Sequence, residues 1–308
     1  MDYESKLKEL ALGNENIVVM TAENRAPVRS MPQVLKERFI DTGITEQTLV
    51  GAAAGLALRG RIPVAHALAT FLTMRAFEFI RTDVGLGNLP VKLVGFVPGF
   101  LSDGNGATHQ ALEDVSLMRA IPNMNVFCPA DGEDMVLGLQ AIIESPSPWY
   151  IRYNPRKAAM THASDFQIGK AEVIDQANLP PTTDVALLVY GTLFTESLQA
   201  KAILEESGVS VRLVNLRTVK PIDESAVMEA IDKSKLTVTI EDHFLTGGLF
   251  SIVAEMLLRN GRTAPVLPIA LDNTWFKPAL LPQVLEYEGF TGPKIANKIL
   301  MKLKQGRS

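Results

Sequence analysis

Two series of short apolar strands, each alternating with helical patterns, constrain the folds that are open to this chain. The first series has β-branched runs at 17–20, 63–68, 91–97, 125–130 and 149–153. The second series has runs at 184–191, 209–216, 236–242 and 266–271. Strands that alternate with helices form βαβ units, in which a mainly parallel sheet is covered on both faces. The sequence therefore predicts an α/β protein with two doubly wound, mainly parallel-sheet domains.

Helices are predicted between these strands from the apolar spacing and from the residues that can cap them. They are expected at 1–12, 45–60, 70–82, 112–120, 131–144, 195–207, 223–233 and 247–260. The last stretch, 294–307, is basic but has apolar residues at Ile295, Ile299, Leu300 and Leu303. This pattern predicts an amphipathic helix that docks on the protein, rather than a membrane anchor.

The boundary between the two domains is predicted where the alternation stops. From 154 to 183 the periodicity weakens, and the Pro180-Pro181 pair cannot lie inside a regular element. We predict a first domain at 1–165, a linker at 166–183 and a second domain at 184–308.

The composition limits the partners and the location of the protein. The chain has 34 acidic and 30 basic residues and a formal net charge of −4, which argues against binding to nucleic acid. No apolar run reaches the ~18 residues of a membrane helix, and the amphipathic start does not resemble an export signal. The single cysteine, Cys128, fits a reducing compartment and is expected to be a buried structural thiol. We therefore expect a cytoplasmic protein that binds neither nucleic acid nor membranes.

Several common catalytic motifs are missing from the sequence. It contains no HExxH, GxSxG, Walker A or GxGxxG pattern, so the usual arguments for a hydrolase, a nucleotide triphosphatase or a dinucleotide enzyme do not apply. The four histidines, at 66, 109, 162 and 243, lack the close spacing of metal ligands. We expect no metal site formed by this chain alone.

One segment places a carboxylate at a helix start. In the segment 41–57, Thr45 can cap a helix whose first turn contains Glu46, and Gly51 and Gly55 leave a thin face for close packing. The segment thus places the carboxylate of Glu46 at a rigid edge, where it is a candidate functional residue. A carboxylate that merely stabilises the helix dipole has the same pattern, so this segment alone leaves both interpretations open.

The segment 41–57 resembles the pyrimidine-binding domain of thiamine-diphosphate enzymes of the transketolase type. The similarity continues, in the same order, through TFLTMRAFEFIR (70–81), GNGATHQALEDVSLMRAIPNMNVFCPAD (104–131) and EDHFLTGGLFSIVAE (241–255). It therefore covers nearly the whole chain. It implies a pyrimidine-binding domain followed by a transketolase C-terminal domain.

The resemblance implies roles for four residues toward the cofactor. Glu46 would hydrogen-bond ring nitrogen N1′ of the aminopyrimidine, favour its imino tautomer and so activate the cofactor. Phe71, Met74 and Phe77 would bind the pyrimidine ring, with Phe71 as the best stacking candidate. Their spacing of three residues is also that of an ordinary helix core stripe, and this alternative stays open.

The resemblance also implies a substrate site. His109 would be catalytic and would contact the donor ketose, together with Asn105, which stands where transketolases often carry an aspartate. Arg152, at a predicted strand end, would bind the phosphate of the acceptor sugar. A surface histidine and a surface ion pair are the alternatives for His109 and Arg152.

A partner subunit is expected because part of the cofactor site is missing. Transketolases bind the diphosphate and its metal through a Gly-Asp-Gly motif, which does not occur in this sequence. The resemblance thus implies an N-terminal, diphosphate-binding partner subunit that holds Mg²⁺ or Ca²⁺, in an α2β2 assembly with a contact between the two β chains. This chain would supply only the pyrimidine half of the thiamine diphosphate site.

The expected function is that of the C-terminal, or β, subunit of a split transketolase acting on sugar phosphates. Within the superfamily, a subunit of a deoxyxylulose phosphate synthase-like enzyme or of a 2-oxoacid dehydrogenase is the alternative. A noncatalytic paralogue that keeps the fold is the alternative from a different class.

Overall fold

The computed structural model describes residues 1–174 and 179–305, and the chain in it divides into two compact units. The first unit comprises Met1–Pro98 and Asp114–Ile168, and the second comprises Gly99–Glu113 and the chain from Gly169 onward. Residues 175–178 of the predicted linker and the last two residues of the predicted helix 294–307 lie outside the described residues.

The first unit alternates strands and helices as the sequence predicts. Its strands are β1 (Ile17–Thr21), β2 (Phe39–Asp41), β3 (Ile62–Leu68), β4 (Lys92–Phe96), β5 (Asn125–Phe127) and β6 (Trp149–Arg152). Its α-helices are α1 (Tyr3–Gly13), α2 (Met31–Leu35), α3 (Glu46–Leu58), α4 (Phe77–Phe79), α5 (Asp114–Ala120) and α6 (Gly132–Glu144). Two π-helical stretches flank α4, at Phe71–Arg75 and Ile80–Gly85.

All six strands of the first unit are parallel and lie in the order β5-β6-β4-β3-β1-β2. Every residue of β1 is buried, as expected for a parallel strand that is covered on both faces. Strands β2 and β3 both pair with β1, in registers that include Val19 with Phe39 and Val19 with Val64. The segments that follow β2 and β3 therefore leave the same edge of the sheet, where α/β proteins bind ligands.

The core of the first unit joins helices to this sheet. Its buried cluster includes Leu7 of α1, Val19 of β1, Val64 of β3, Leu139 of α6 and Ile151 of β6. Cys128 is also fully buried, which agrees with the expected structural thiol.

The second unit has its own five-stranded sheet. The unit contains the strands β7 (Glu172–Ile174), β8 (Thr183–Val189), β9 (Val211–Asn215), β10 (Thr218–Lys220), β11 (Ser234–Phe244) and β12 (Val266–Leu271), and all of them except β10 form this sheet. The sheet has the order β12-β11-β8-β9-β7, in which only β7 is antiparallel to its neighbour. The predicted fold class, two mainly parallel α/β domains, is therefore confirmed.

The helices of the second unit end with the predicted docked helix. They are α7 (Phe194–Glu206), α8 (Glu224–Asp232), α9 (Leu249–Arg259), α10 (Leu281–Glu288) and α11 (Gly292–Gln305). Helix α11 buries Ile295 and Ile299 and packs on α7, where Gly292 allows close approach because a Cβ there would lie 2.5 Å from Cβ of Gln199. Among the helices that the structure describes, none is both long and apolar enough to cross a membrane.

The structure differs from the sequence prediction mainly in short or irregular elements. The three-residue strands β2, β7 and β10 and the short helices α2 and α10 were not predicted, because so few residues give no clear period. The helix predicted at 70–82 is instead a succession of π-helical and α-helical turns.

A buried carboxyl group in the second unit makes stability depend on pH. Burial raises the pKa of Glu241 to about 7, although hydrogen bonds from the backbone N–H groups of Phe250 and Leu249 and from the Tyr190 hydroxyl oppose the shift. A carboxyl pKa that is raised on folding contributes stability below the unfolded pKa, and this contribution is lost as the pH rises through 7.

We expect the contribution of Glu241 to the free energy of unfolding to fall by about 2 kcal/mol between pH 5 and pH 8. Urea unfolding of the wild type and of Glu241→Gln at both pH values measures it, since glutamine does not titrate and the difference between the two proteins isolates this group. A difference in stability that is the same at pH 5 and pH 8 would contradict the prediction.

Candidate active site

The turn after β2 is fixed by the carboxylate of Asp41. Its Oδ1 accepts hydrogen bonds from the backbone N–H groups of Glu23 and Gly43, both at 3.0 Å, and its Oδ2 accepts one from Nε of Arg25 at 2.7 Å. Burial alone raises the pKa of Asp41, but these bonds outweigh it and the pKa is lowered. Gly43 has φ of +69°, a conformation that favours glycine. This turn determines where helix α3 begins.

Glu46 is the first residue of α3 and is only 2% exposed. Thr45 holds the N-cap position, as predicted, but its hydroxyl donates to the carbonyl of Thr42 at 2.9 Å instead of capping the helix. Glu46 therefore lies in the first turn of the helix, where the backbone N–H groups lack partners within the helix.

Arg75 contacts both Glu46 and Phe71. Its Nη1 donates to Oε2 of Glu46 at 2.9 Å, and its Cζ lies 4.1 Å from the ring centroid of Phe71. The side chain of Glu46 is 3% exposed, whereas that of Arg75 is 42% exposed. The planar guanidinium group of Arg75 thus donates a hydrogen bond to the carboxylate and lies over the face of the aromatic ring.

The segment Phe71–Arg75, which carries both Phe71 and Arg75, is π-helical. The backbone N–H of Ala76 donates to the carbonyl of Phe71 at 3.3 Å, an i to i+5 bond. Because a π-helical turn holds more residues than an α-helical turn, residues three apart do not share one face. Of the three residues predicted to bind the pyrimidine, Met74 is 36% exposed, while Phe71 and Phe77 are half-buried.

Glu46 and Phe71 fit the aminopyrimidine of thiamine diphosphate. That ring needs a carboxylate to hydrogen-bond its edge and an aromatic face to stack on, and these two residues already hold a planar hydrogen-bond donor in that way. Arg75 was not predicted from the sequence. Its only signal was a cationic residue four positions after Phe71, a spacing that a helical turn brings together.

The other predicted catalytic residue lies in the second unit. His109 is half-buried, and its Nδ1 lies 3.0 Å from the hydroxyl oxygen of Thr108. Its backbone carbonyl accepts a hydrogen bond of 2.6 Å from the hydroxyl of Ser102. Asn105 is exposed on the same loop. The structure thus groups Asn105 with His109, and separately groups Glu46 with Phe71.

Arg152 has a different environment from the one expected. It is 2% exposed, and its Nε donates to Oδ2 of Asp114 at 2.9 Å. The Tyr150 hydroxyl donates to the same oxygen at 2.7 Å. A phosphate-binding arginine has to reach the surface, whereas the structure places this guanidinium in a buried ion pair with Asp114, which the sequence analysis did not single out.

Comparison with protein families identifies the fold. The transketolase pyrimidine-binding domain matches residues 3–160, and the transketolase C-terminal domain matches residues 173–295. The chain belongs to the transketolase family. This agrees with the four sequence blocks on which the resemblance was based, two of which, 41–57 and 70–81, contribute Glu46, Phe71 and Arg75.

Transketolase-family relatives of similar length cover nearly the whole chain. It is 34% identical over 310 residues to a putative transketolase C-terminal section of Methanocaldococcus jannaschii, with coverage of 98% of this chain and 95% of that protein. It is 33% identical over 297 residues to a 6-deoxy-6-sulfo-D-fructose transketolase subunit of Clostridium sp., with coverage of 95% and 90%. A solved split gene transketolase, an inactive beta4 tetramer, matches with a TM-score of 0.87, 33% identity and coverage of 98% and 97%.

Longer relatives match over only part of their length. A 1-deoxy-D-xylulose-5-phosphate synthase of Dictyoglomus thermophilum is 35% identical over 308 residues, and this chain spans 49% of it.

Proposed function

We propose that this chain is the C-terminal, or β, subunit of a split transketolase, which transfers a two-carbon ketol unit from a ketose phosphate to an aldose phosphate. The observation that carries the proposal is the joint contact of Glu46 and Phe71 with one planar cationic group, since an aminopyrimidine needs the same two partners. Relatives named as a transketolase section or subunit, matched over at least 90% of their length, support the same function.

Thiamine diphosphate supplies the carbanion chemistry when it is bound, and the protein supplies orientation and proton transfer. Glu46 is proposed to hydrogen-bond ring nitrogen N1′ and to hold the proton there. Phe71 is proposed to stack on the pyrimidine, with Met74 and Phe77 beside it. His109 and Asn105 are proposed to bind the donor sugar, because a half-buried imidazole next to an exposed amide suits a polyhydroxylated substrate.

A second polypeptide is proposed to hold the diphosphate and its Mg²⁺ or Ca²⁺, in an α2β2 complex with a contact between the β chains. The description of two relatives as a section and a subunit, at almost the same length as this chain, supports that division of the enzyme. A cytoplasmic location is part of the same proposal.

Turnover of pyruvate is the second candidate activity. It is favoured by the 35% identity to a 1-deoxy-D-xylulose-5-phosphate synthase. A subunit of a 2-oxoacid dehydrogenase, the other enzyme of this alternative, would also act on a 2-oxoacid such as pyruvate. A noncatalytic paralogue predicts no turnover of either substrate class.

The test is co-purification and assay of the complex. The chain is co-expressed with a candidate partner that carries Gly-Asp-Gly, and the complex is assayed for ketol transfer from xylulose 5-phosphate to ribose 5-phosphate. Each chain alone is the control and should be inactive. Pyruvate turnover without ketol transfer would favour the second candidate, and a complex that binds thiamine diphosphate but turns over neither substrate would favour the paralogue.

Arg75 is expected to compete with the cofactor for Glu46 and Phe71. Breaking a partly exposed, charge-assisted contact costs about 1 kcal/mol, so Arg75→Gln should tighten thiamine diphosphate binding by the complex roughly fivefold. Titration calorimetry at fixed Mg²⁺ measures the Kd. Arg81→Gln is the matched control, because Arg81 lies in an exposed ion pair with Glu78, and it should leave the Kd for thiamine diphosphate unchanged. Weaker binding by Arg75→Gln would mean that Arg75 supports the cofactor.

A further inference from the structure

The loop Gly99–Glu113, which carries Asn105 and His109, belongs to the second unit although it follows strand β4 of the first. We call it the histidine loop. It begins with a 3₁₀ turn at Gly99–Ser102. Its 3₁₀ turn contacts β11 and α10, among other elements of the second unit, so distant parts of the sequence help to determine the shape of the loop.

Asp103 joins the histidine loop to helix α10. Its Oδ2 accepts a hydrogen bond of 2.9 Å from the backbone N–H of Leu281, the first residue of α10, and its backbone carbonyl accepts one of 3.1 Å from Ala279. Its Oδ1 accepts a bond of 2.7 Å from the N–H of Gly104. A carboxylate at a helix start is bonded by an otherwise unpaired N–H and also interacts favourably with the helix dipole.

Apolar and amide contacts hold the rest of the loop. Phe100 is fully buried, with its ring centroid 5.3 Å from that of Phe276 and 4.8 Å from that of Phe290. Gln110 is 1% exposed and donates through Nε2 to the carbonyl of Phe276 at 2.9 Å. Gly106 has φ of +80°, and a Cβ there would lie 3.4 Å from Pro278. Both ends and the middle of the loop are therefore fixed.

The path from Asp103 to the predicted substrate residue is short. Ser102 precedes Asp103, and its hydroxyl donates to the carbonyl of His109 at 2.6 Å. The N–H of His109 in turn donates to the carbonyl of Gly106 at 2.9 Å. A displacement of Asp103 thus moves Ser102 and, through one hydrogen bond, the backbone of His109.

We propose that Asp103 is a positioning residue, which holds His109 and Asn105 in place for the donor sugar by anchoring the histidine loop to α10. The inference rests on the proposed function and extends it, because it gives the second unit a part in substrate binding. In this proposal the donor sugar contacts His109 and Asn105 of the loop, whereas Asp103 acts only through the backbone. The anchor therefore affects sugar binding more than the step that Glu46 supports.

Steady-state kinetics of the complex test the proposal. Asp103→Ala should raise the KM for xylulose 5-phosphate about 5- to 10-fold, as expected for a lost hydrogen bond to a charged group, with kcat changed less than about twofold. Asp103→Asn keeps an acceptor oxygen for the backbone N–H of Leu281, so its KM should be close to that of the wild type. Asp272→Ala, at an exposed aspartate of the same unit, is the control and should behave as wild type.

Hydrogen exchange separates this proposal from the proposed function. In Asp103→Ala, the amides of Gly104–Gln110 and of Leu281 should exchange about tenfold faster than in wild type, whatever the complex catalyses. Unchanged exchange, an unchanged KM, or a loss of kcat with no change in KM overturns the positioning role. A wild-type complex without ketol transfer overturns the proposed function together with the sugar-binding part of this inference, while the exchange result still decides whether Asp103 anchors the loop.

Discussion

Replacing Glu46 by glutamine is expected to lower kcat for ketol transfer by the complex ~10²–10⁴-fold, the usual contribution of a positioned proton-transfer group. Glutamine has nearly the same shape and still reaches a ring nitrogen, but it cannot exchange a proton with it. The KM for the sugars should change little, because Glu46 is proposed to contact the cofactor and not the sugar. Stopped assays of xylulose 5-phosphate turnover at saturating thiamine diphosphate measure the effect.

The control must separate lost chemistry from lost folding. Glu78→Gln removes a carboxylate from the same region, but one whose side chain is 69% exposed and paired with Arg81, and it should keep full activity. Glu46→Gln also weakens the ion pair with Arg75, which is 42% exposed, so its unfolding free energy should fall by no more than about 1 kcal/mol. A Glu46→Gln complex with wild-type kcat would argue against an activating role and would favour the noncatalytic paralogue.

The fold could be predicted because its strands are covered on both faces. β1 and most of β3 are buried without interruption, so they appear in the sequence as short, mostly apolar runs. Helix α6 was equally clear, since Asp131 caps it through the N–H groups of Glu133 and Asp134, and Pro146 follows its end. The three-residue β2 gave no such signal, although it carries the turn that leads to Glu46.

The site was harder to predict than the fold, because its geometry departs from regular helix. Glu46 and Phe71 were each predicted as site residues from the sequence. Their contact with a common partner was not predicted, because the spacing of three residues grouped Phe71 with Met74 and Phe77. Within the π-helical stretch, Arg75 lies over Phe71. The contact between Arg75 and Glu46 joins segments 29 positions apart, which no local periodicity reveals, so it was not predicted.

The histidine loop illustrates a second limit. The predicted first domain, 1–165, includes it, and the contacts of the structure group it with the second unit. Asp103 and Leu281 are 178 positions apart, and no pattern in either segment points to the other. Side-chain and backbone pairs at such separation depend on the completed fold, and this is why Asp103 was not among the predicted site residues.

Arg152 supports a second large prediction, on stability. Its guanidinium and the Asp114 carboxylate are 2% and 0% exposed, and Tyr150 donates to the same carboxylate oxygen. Burial and the neighbouring Asp114 raise the pKa of Tyr150 well above its usual value, so its hydroxyl stays protonated and remains a donor. Arg152→Gln leaves Asp114 as a buried charge without its cation, which should cost about 3–5 kcal/mol of unfolding free energy.

Urea unfolding followed by the fluorescence of Trp149, which is 1% exposed in the same strand as Arg152, measures this loss. Combining Asp114→Asn with Arg152→Gln removes both charges and should recover most of the stability, because breaking a buried pair costs more than removing both partners. Arg29→Gln, at an exposed arginine of the same unit, should change stability by less than about 0.5 kcal/mol. If Arg152→Gln instead unfolds like the wild type and raises the KM for phosphorylated acceptors, Arg152 binds substrate phosphate and its pairing with Asp114 opens during turnover.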